Sequence, residues 1–257
     1  MDRDLGAGGG QGGDAERIAA TLLNHIDRNH FDVRLGLLRA EGPYLDYTQP
    51  AHIELAAADH RMGSFQSAPA NSLNAPTLRR SLMRMCRIPY TVFQLRALIQ
   101  RVQPDIVLSS MTDFNIMTSL VLRFLKNSHV RWIAREGKNV IAVFRHTVSY
   151  RVFQSLARLF LHWSLRPADC TLAISQGLRD SLVGQIGVPP DKVRVIYNPT
   201  DIDWIRQRSM TALDIGVSSR FIIAIGRLEI QKVFDVLTRA AAECVVRHEM
   251  KLVILSE

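Results

Sequence analysis

Arg227 and Lys232 lie in the stretch Phe221–Asp235, FIIAIGRLEIQKVFD, just past a run of five apolar residues and Gly226. The apolar run Phe221–Ile225 reads as a buried strand, Gly226 breaks it, and an apolar-periodic helix opens at Val233. A strand, a glycine, a basic loop and a helix in that order bring cations and helix N-terminal N–H groups to one place, where a phosphate would bind. Arg227 offers a planar fork to two phosphate oxygens and Lys232 a compact charge. The expected phosphate-binding set is therefore Gly226, Arg227 and Lys232. Two basic residues in a loop are, alone, no more than a solvated surface, so the weight falls on the elements around them.

A second candidate group is Arg135-Glu136-Gly137-Lys138-Asn139, directly after an expected strand over Val130–Ala134. In a parallel α/β sheet, ligands bind at the loops that follow the strand C-termini, which places this loop for a role. The plainer reading is that Arg135 and Glu136 pair with each other or with neighbours. The sequence shows no carboxylate cluster that would hold a metal, and neither a metal nor a cofactor is expected. Cys86, Cys170 and Cys244 are odd in number and widely separated, which fits buried thiols in a reducing cytosol rather than a disulfide framework or zinc site.

The elements that position these groups alternate. Asp14 is an expected N-cap for a helix with Ile18, Leu22 and Ile26 on one face, followed by a strand over Val33–Leu38. Residues 40–78 read mostly as loop, with one strand around His52–Leu55. Ile88, Val92, Leu95, Ile99 and Val102 recur at helical spacing, and Pro89 suggests a break or helix start rather than one continuous rod. Pro104 ends that helix. A strand over Asp105–Ser109, a helix over Asn115–Phe124 and the Val130–Ala134 strand follow. Next come a helix over roughly Ser149–Leu165 and a strand in Ala168–Ser175, ended by Ser175 as the next N-cap. Gly187 stops that helix, Val193–Tyr197 forms a strand, and Asn198-Pro199 makes a turn. After Phe221–Ile225 come a helix over Val233–Val246 and a strand over Lys251–Leu255. The pattern predicts an α/β chain with a parallel sheet covered on both faces. Its expected domains are 1–200, a linker over 201–219, and the start of a second domain over 220–257.

Composition narrows the class. At 257 residues and 47% hydrophobic content the chain can bury a sizeable core, and its apolar runs are too interrupted by charge for a bilayer-spanning helix. The N-terminus is acidic and glycine-rich where a secretory signal needs a basic start and an apolar run. Gly8, Gly10 and Gly13 fit G-x-G-x-x-G but lack the strand a dinucleotide fingerprint requires. The net charge of +8 implies an acidic partner. The excess is concentrated: six arginines and no acid between Arg79 and Arg101, and no acid from Gly137 to Ala168. These are either two solvated helix faces or a surface that rests on anionic lipid headgroups.

The stretch G-R-L-E-I-Q-K-V-F-D over Gly226–Asp235 resembles the donor-site signature of glycosyltransferase family four, the GT-B enzymes that carry G-R-L-x-x-x-K-G-F/V-D. Gly226, Arg227, Leu228, Lys232, Phe234 and Asp235 match, and Val233 replaces the glycine. Four further segments resemble the family in order: Gly12-Gly13 with Ala15-Glu16-Arg17 and an inserted Asp14, Gly42-Pro43-Tyr44, Ala168–Ser175, and Asn198-Pro199-Thr200-Asp201. The resemblance implies a GT-B-like fold, two Rossmann-like domains, and retaining transfer from a nucleotide sugar to a glycan or lipid-linked acceptor in surface polysaccharide or glycolipid synthesis. It implies that Gly12, Gly13, Arg135, Glu136 and Asn139 line the acceptor side of the cleft, and that Asn198 and Pro199 form the domain junction. Where many relatives carry a histidine in the loop after Arg135, this chain has none. The resemblance also implies a first strand missing or cut short, and a donor-holding E-x7-E pair lying past residue 257, so no catalytic residue is assigned. The expected location is the cytoplasm, peripheral to the membrane. Two other readings stand: a catalytically inactive GT-B remnant that binds membrane or a partner, and, last, a nucleic-acid binder, for which the chain lacks the aromatic interleaving and motifs.

Overall fold

Strands and helices alternate as the periodicity predicts, and a computed structural model shows how they assemble. The structure describes residues 14–37, 53–55, 78–125, 129–141, 151–210, 220–226, 228 and 232–256. The chain divides into two compact units that part between Thr200 and Asp201.

The first unit carries α1 (Asp14–His25), β1 (Leu35–Leu37), β2 (Ile53–Leu55), α2 (Leu78–Val102), β3 (Ile106–Ser110), α3 (Thr112–Phe124) and β4 (Arg131–Glu136). It continues through α4 (Arg151–Leu165), β5 (Cys170–Ala173), α5 (Gln176–Ser181) and β6 (Val193–Val195). Strands β3-β4-β5-β6 form a parallel sheet in that order, and β1 and β2 pair in parallel as a separate ribbon. An interior parallel strand is covered on both faces and reads as near-continuous burial. That is β4, where every residue after Ile133 is buried. The core gathers Trp132, Ala134, Leu161, Leu165, Leu178 and Val193 from β4, α4, α5 and β6.

Several expected boundaries shift. Helix α1 begins at Asp14 itself, and Leu22 is exposed while Ile18 and Ala20 are buried. Pro89 does not break α2, which runs without interruption from Leu78 to Val102. An interior proline costs about 3 kcal/mol. Here Pro89 is exposed at the rim of an apolar groove that Val92 and Phe93 line with Leu120, Val121 and Phe124 of α3, and the helix continues through it. Ser175 caps α5 as expected, its Oγ accepting from the Leu178 N–H at 3.2 Å. The helix tightens no further but loosens into a π turn over Leu182–Ile186, which Gly187 ends at φ 84°. Cys170 is half-buried, and burial pushes its thiol up, so it is a poor nucleophile.

The second unit holds α6 (Ile202–Ser209), β7 (Phe221–Ile225), α7 (Phe234–Arg247) and β8 (Lys251–Leu255). Asp201 caps α6 by accepting from the Trp204 N–H at 2.9 Å. Strands β7 and β8 pair in parallel over their full length. Of α7 only Ala241 is buried, and Ile225, Val236 and Val246 are exposed. On β7 the face of Phe221, Ile223 and Ile225 is exposed while Ile222 and Ala224 on the other face are half-buried, so the unit has a small core.

Candidate functional site

In the first unit the parallel register brings the C-terminal ends of β3, β4 and β5 to one edge, with Ser110 opposite Arg135 and Glu136 opposite Ala173. Sequence reading placed Arg135 and Glu136 in a loop. Both instead belong to β4 and are buried, because the sheet extends the strand two residues further. They form no ion pair with each other; each is held by neutral groups.

Glu136 sits under the start of α3. Its Oε2 accepts from the Thr112 hydroxyl at 2.7 Å and its Oε1 from Asn115 Nδ2 at 2.7 Å. Asn115 spends its second amide hydrogen on the Arg135 carbonyl at 3.0 Å, and its Oδ1 accepts from the Ser109 hydroxyl at 2.6 Å. Ser109 Oγ in turn accepts from Trp132 Nε1 at 2.8 Å. The chain of donors is consistent from the indole to the carboxylate, which is the condition for a buried polar network to stabilise. Met111, at φ 82°, turns β3 straight into α3 and so delivers Thr112 and Asn115 over the end of β4. The expected start of this helix at Asn115 missed the Thr112 turn, and with it the network.

Arg135 reaches the other way. Its Nη1 donates to Ser110 Oγ at 2.8 Å and its Nη2 to Asn198 Oδ1 at 2.6 Å. Asn198 lies just beyond β6, so the guanidinium ties the middle of the sheet to the turn that closes the unit. Asn198, expected to bond its own turn, accepts from this strand residue, and Pro199 follows it. Asn139 accepts from the Ser181 hydroxyl at 3.2 Å, which anchors the segment after β4 to the end of α5. Burial pulls Arg135 below the usual guanidinium value, and the Glu136 charge offsets part of that.

Burial is also the main cause that raises the Glu136 carboxyl above its ordinary value of 4.5, against the lowering effect of Asn115 and Thr112. A raised acid binds its proton better in the folded state, so stability falls as pH rises from the ordinary carboxyl value to the folded one. Glu136→Gln keeps both hydrogen bonds, since the Thr112 hydroxyl can accept from the new amide. We expect the difference in unfolding free energy between wild type and Glu136→Gln to shift in favour of the variant as pH rises through that window. Urea titrations across the acid range read it; a pH-independent difference would contradict the burial of a titrating Glu136.

In the second unit, Gly226 ends β7 at φ +156°, a conformation side chains rarely adopt, and its N–H donates to the Leu255 carbonyl at 3.0 Å. A Cβ at Gly226 would stand 3.9 Å from Lys232 Cδ and 3.5 Å from Phe234 Cζ. Gly226 and Lys232 therefore meet at the entry to α7. No side chain caps that helix, so its first N–H groups and Lys232 together form an electropositive corner. Arg227, Gly12 and Gly13 lie outside the described residues.

Val233 is the residue that departs from the glycine pattern, and it adopts φ 55°, ψ 34° as the helix N-cap. A β-branched residue in the left-handed region is strained by about 1–2 kcal/mol. Val233→Gly releases that strain and loses about 0.5–1 kcal/mol to the freer unfolded chain. We expect a net gain of roughly 0.5–1 kcal/mol in denaturant unfolding, with tighter nucleotide binding; a destabilised variant would overturn the strain argument.

Among the described residues no three His, Cys, Asp or Glu gather in a metal-binding group. The family model described as Glycosyltransferase Family 4 matches residues 12–204. Over 106 residues the chain is 37% identical to an N-acetylgalactosamine-N,N'-diacetylbacillosaminyl-diphospho-undecaprenol 4-alpha-N-acetylgalactosaminyltransferase of Campylobacter jejuni, covering 41% of this chain and 28% of that protein. It is 34% identical over 92 residues to an uncharacterized glycosyltransferase of Methanocaldococcus jannaschii, covering 32% of this chain and 23% of that one. The matched stretches thus span less than a third of either relative. Among solved structures, Anabaena HepE in complex with UDP and glucose superposes with a TM-score of 0.53 at 15% identity, over 94% of this chain and 56% of HepE. That likeness shows a shared fold.

Proposed function

The chain belongs to Glycosyltransferase Family 4, and from that premise we propose that it serves transfer of a sugar from a nucleotide-sugar donor to a glycan or lipid-linked acceptor. The observation that carries the donor half is the meeting of Gly226 and Lys232 at the uncapped start of α7. As the glycosidic bond breaks, negative charge grows on the diphosphate leaving group, and fixed cations aimed at it lower the barrier. Lys232 and Arg227 supply those cations, so the leaving group is stabilised without a metal. By resemblance the transfer is retaining.

The acceptor half rests on the first unit. Arg135, Glu136 and Asn139 hold the C-terminal edge of the sheet, where α/β folds place ligands. With Glu136 enclosed, its part is to fix β4 and the segment after it, while Asn139, half-buried, lies nearer the acceptor. The Campylobacter relative is named for action on an undecaprenol-linked diphosphate sugar, which supports a lipid-linked acceptor here, met at the cytoplasmic face of a membrane. The product would feed surface polysaccharide or glycolipid.

A second reading, an inactive GT-B remnant that binds membrane or partner, is favoured by the exposed sheet of the second unit, where Ile225 is 76% exposed. Incubating the purified chain with labelled nucleotide sugars and undecaprenyl-diphosphate-linked glycan separates the two. Label in the lipid-linked fraction supports transfer. Its absence across the donor series, with donor binding intact, supports the remnant.

A further inference from the structure

Helix α4 is apolar on both sides. Leu161, Ser164 and Leu165 face the core, yet Leu156, Leu159, Phe160 and Trp163 recur at helical spacing on the outside and are 38–65% exposed. A surface helix normally confines its apolar residues to one stripe. The outer stripe does not end at α4. Phe160 stacks on Trp163 with ring centroids 5.9 Å apart, and the Arg123 guanidinium at the end of α3 lies 4.2 Å over the Trp163 ring while donating to the Trp163 carbonyl at 2.8 Å. Phe124, next to Arg123, is 64% exposed and shares the groove between α3 and α2 with Phe93, 67% exposed, and Arg96. One seam of exposed rings and leucines thus crosses three helices, with arginines set into it.

We propose that this seam is a docking face for an anionic lipid bilayer. A contiguous apolar surface of this kind on a protein marks an interaction site. The charge decides what lies against it. Neither α2 nor the segment Gly137–Ala168 that contains α4 has an acidic residue, whereas Arg96 and Arg123 are set into the seam and Arg166 is exposed just past the end of α4. A second copy of the same face would oppose arginine with arginine, which disfavours self-association. Lipid phosphates complement the arginines, and tryptophan and phenylalanine are the side chains suited to the headgroup level. Among the described residues no helix is long and apolar enough to cross a membrane, so the contact is interfacial. The inference is independent of whether the chain transfers sugar, and it assigns the contact to a defined set of side chains.

Vesicle flotation of the whole chain tests it without nucleotide sugar or acceptor, so its outcome is separate from that of the transfer assay. Wild type is expected to float with vesicles of phosphatidylglycerol in phosphatidylcholine, to stay behind with phosphatidylcholine alone, and to be released by salt. Leu159→Ser with Phe160→Ser should lower the partition by on the order of tenfold. Both positions are exposed, and circular dichroism checks the fold; Phe93→Ser with Phe124→Ser is the second variant and should act in the same direction. Failure to bind anionic vesicles, equal binding to neutral ones, or unchanged binding by both variants overturns the proposal. So does a stable dimer in light scattering that Leu159→Ser splits, which would assign the seam to a second copy.

Discussion

Asn115→Ala is expected to destabilise the first unit by about 3–5 kcal/mol, the cost of breaking up a buried hydrogen-bonded charge. Asn115 is fully buried and spends both amide hydrogens and its carbonyl on Glu136, the Arg135 backbone and Ser109. Truncation leaves an enclosed carboxylate with Thr112 as its remaining side-chain donor, a β4 carbonyl without its side-chain donor, and a hydroxyl without its acceptor. Each orphaned neutral group costs about 1–3 kcal/mol and the charged one more. The charge is the larger part, which gives a second expectation within the same experiment. In the background of Glu136→Gln the loss from Asn115→Ala should shrink, because the buried group no longer carries charge. Urea unfolding of the four proteins closes the double-mutant cycle. Equal losses in both backgrounds would show that Glu136 is not charged where Asn115 meets it.

The second large effect falls on the proposed transfer. Replacing Lys232 or Arg227 by alanine is expected to lower transfer by on the order of a hundred- to a thousandfold, the usual cost of removing one group that meets charge developing in the transition state. The loss should appear in kcat more than in KM, since the diphosphate gains charge as the bond breaks. Lys232 is exposed and bonds no described neighbour, so its removal should leave the unfolding curve unchanged. An equal fall in stability would mean the residue supports the fold instead. Arg227→Lys should recover only part of the rate, because an ammonium cannot match the bidentate fork.

Much of this was legible before any coordinates. Gly226 and Lys232 could be read from the strand–glycine–loop–helix order because their positions depend on local geometry, and the structure brings them together at the head of α7. The Ser175 cap and the Gly187 stop were equally local, and both are present. What escaped was non-local. Arg135 and Glu136 look like a charged loop, and nothing in the window around them shows that Thr112 and Asn115, more than twenty residues earlier, cover the carboxylate. Pro89 misled as well: its local effect is to break a helix, yet α2 continues through it from Leu78 to Val102. The outer stripe of α4 is local and visible in the sequence as the spacing of Leu156, Leu159, Phe160 and Trp163; its exposure is not, because that depends on which neighbours cover the helix.

The central claim is that the corner at the entry to α7 holds a nucleotide-sugar diphosphate. Calorimetric titration of a series of nucleotide sugars into the purified chain, with Lys232→Ala and Arg227→Ala in parallel, tests it most directly. The account predicts that at least one nucleotide sugar binds wild type, that its nucleoside diphosphate competes, and that each substitution weakens binding by about tenfold, the loss of one charge-assisted contact. A chain to which no nucleotide sugar binds, or one whose affinity is the same with and without Lys232 and Arg227, would contradict it.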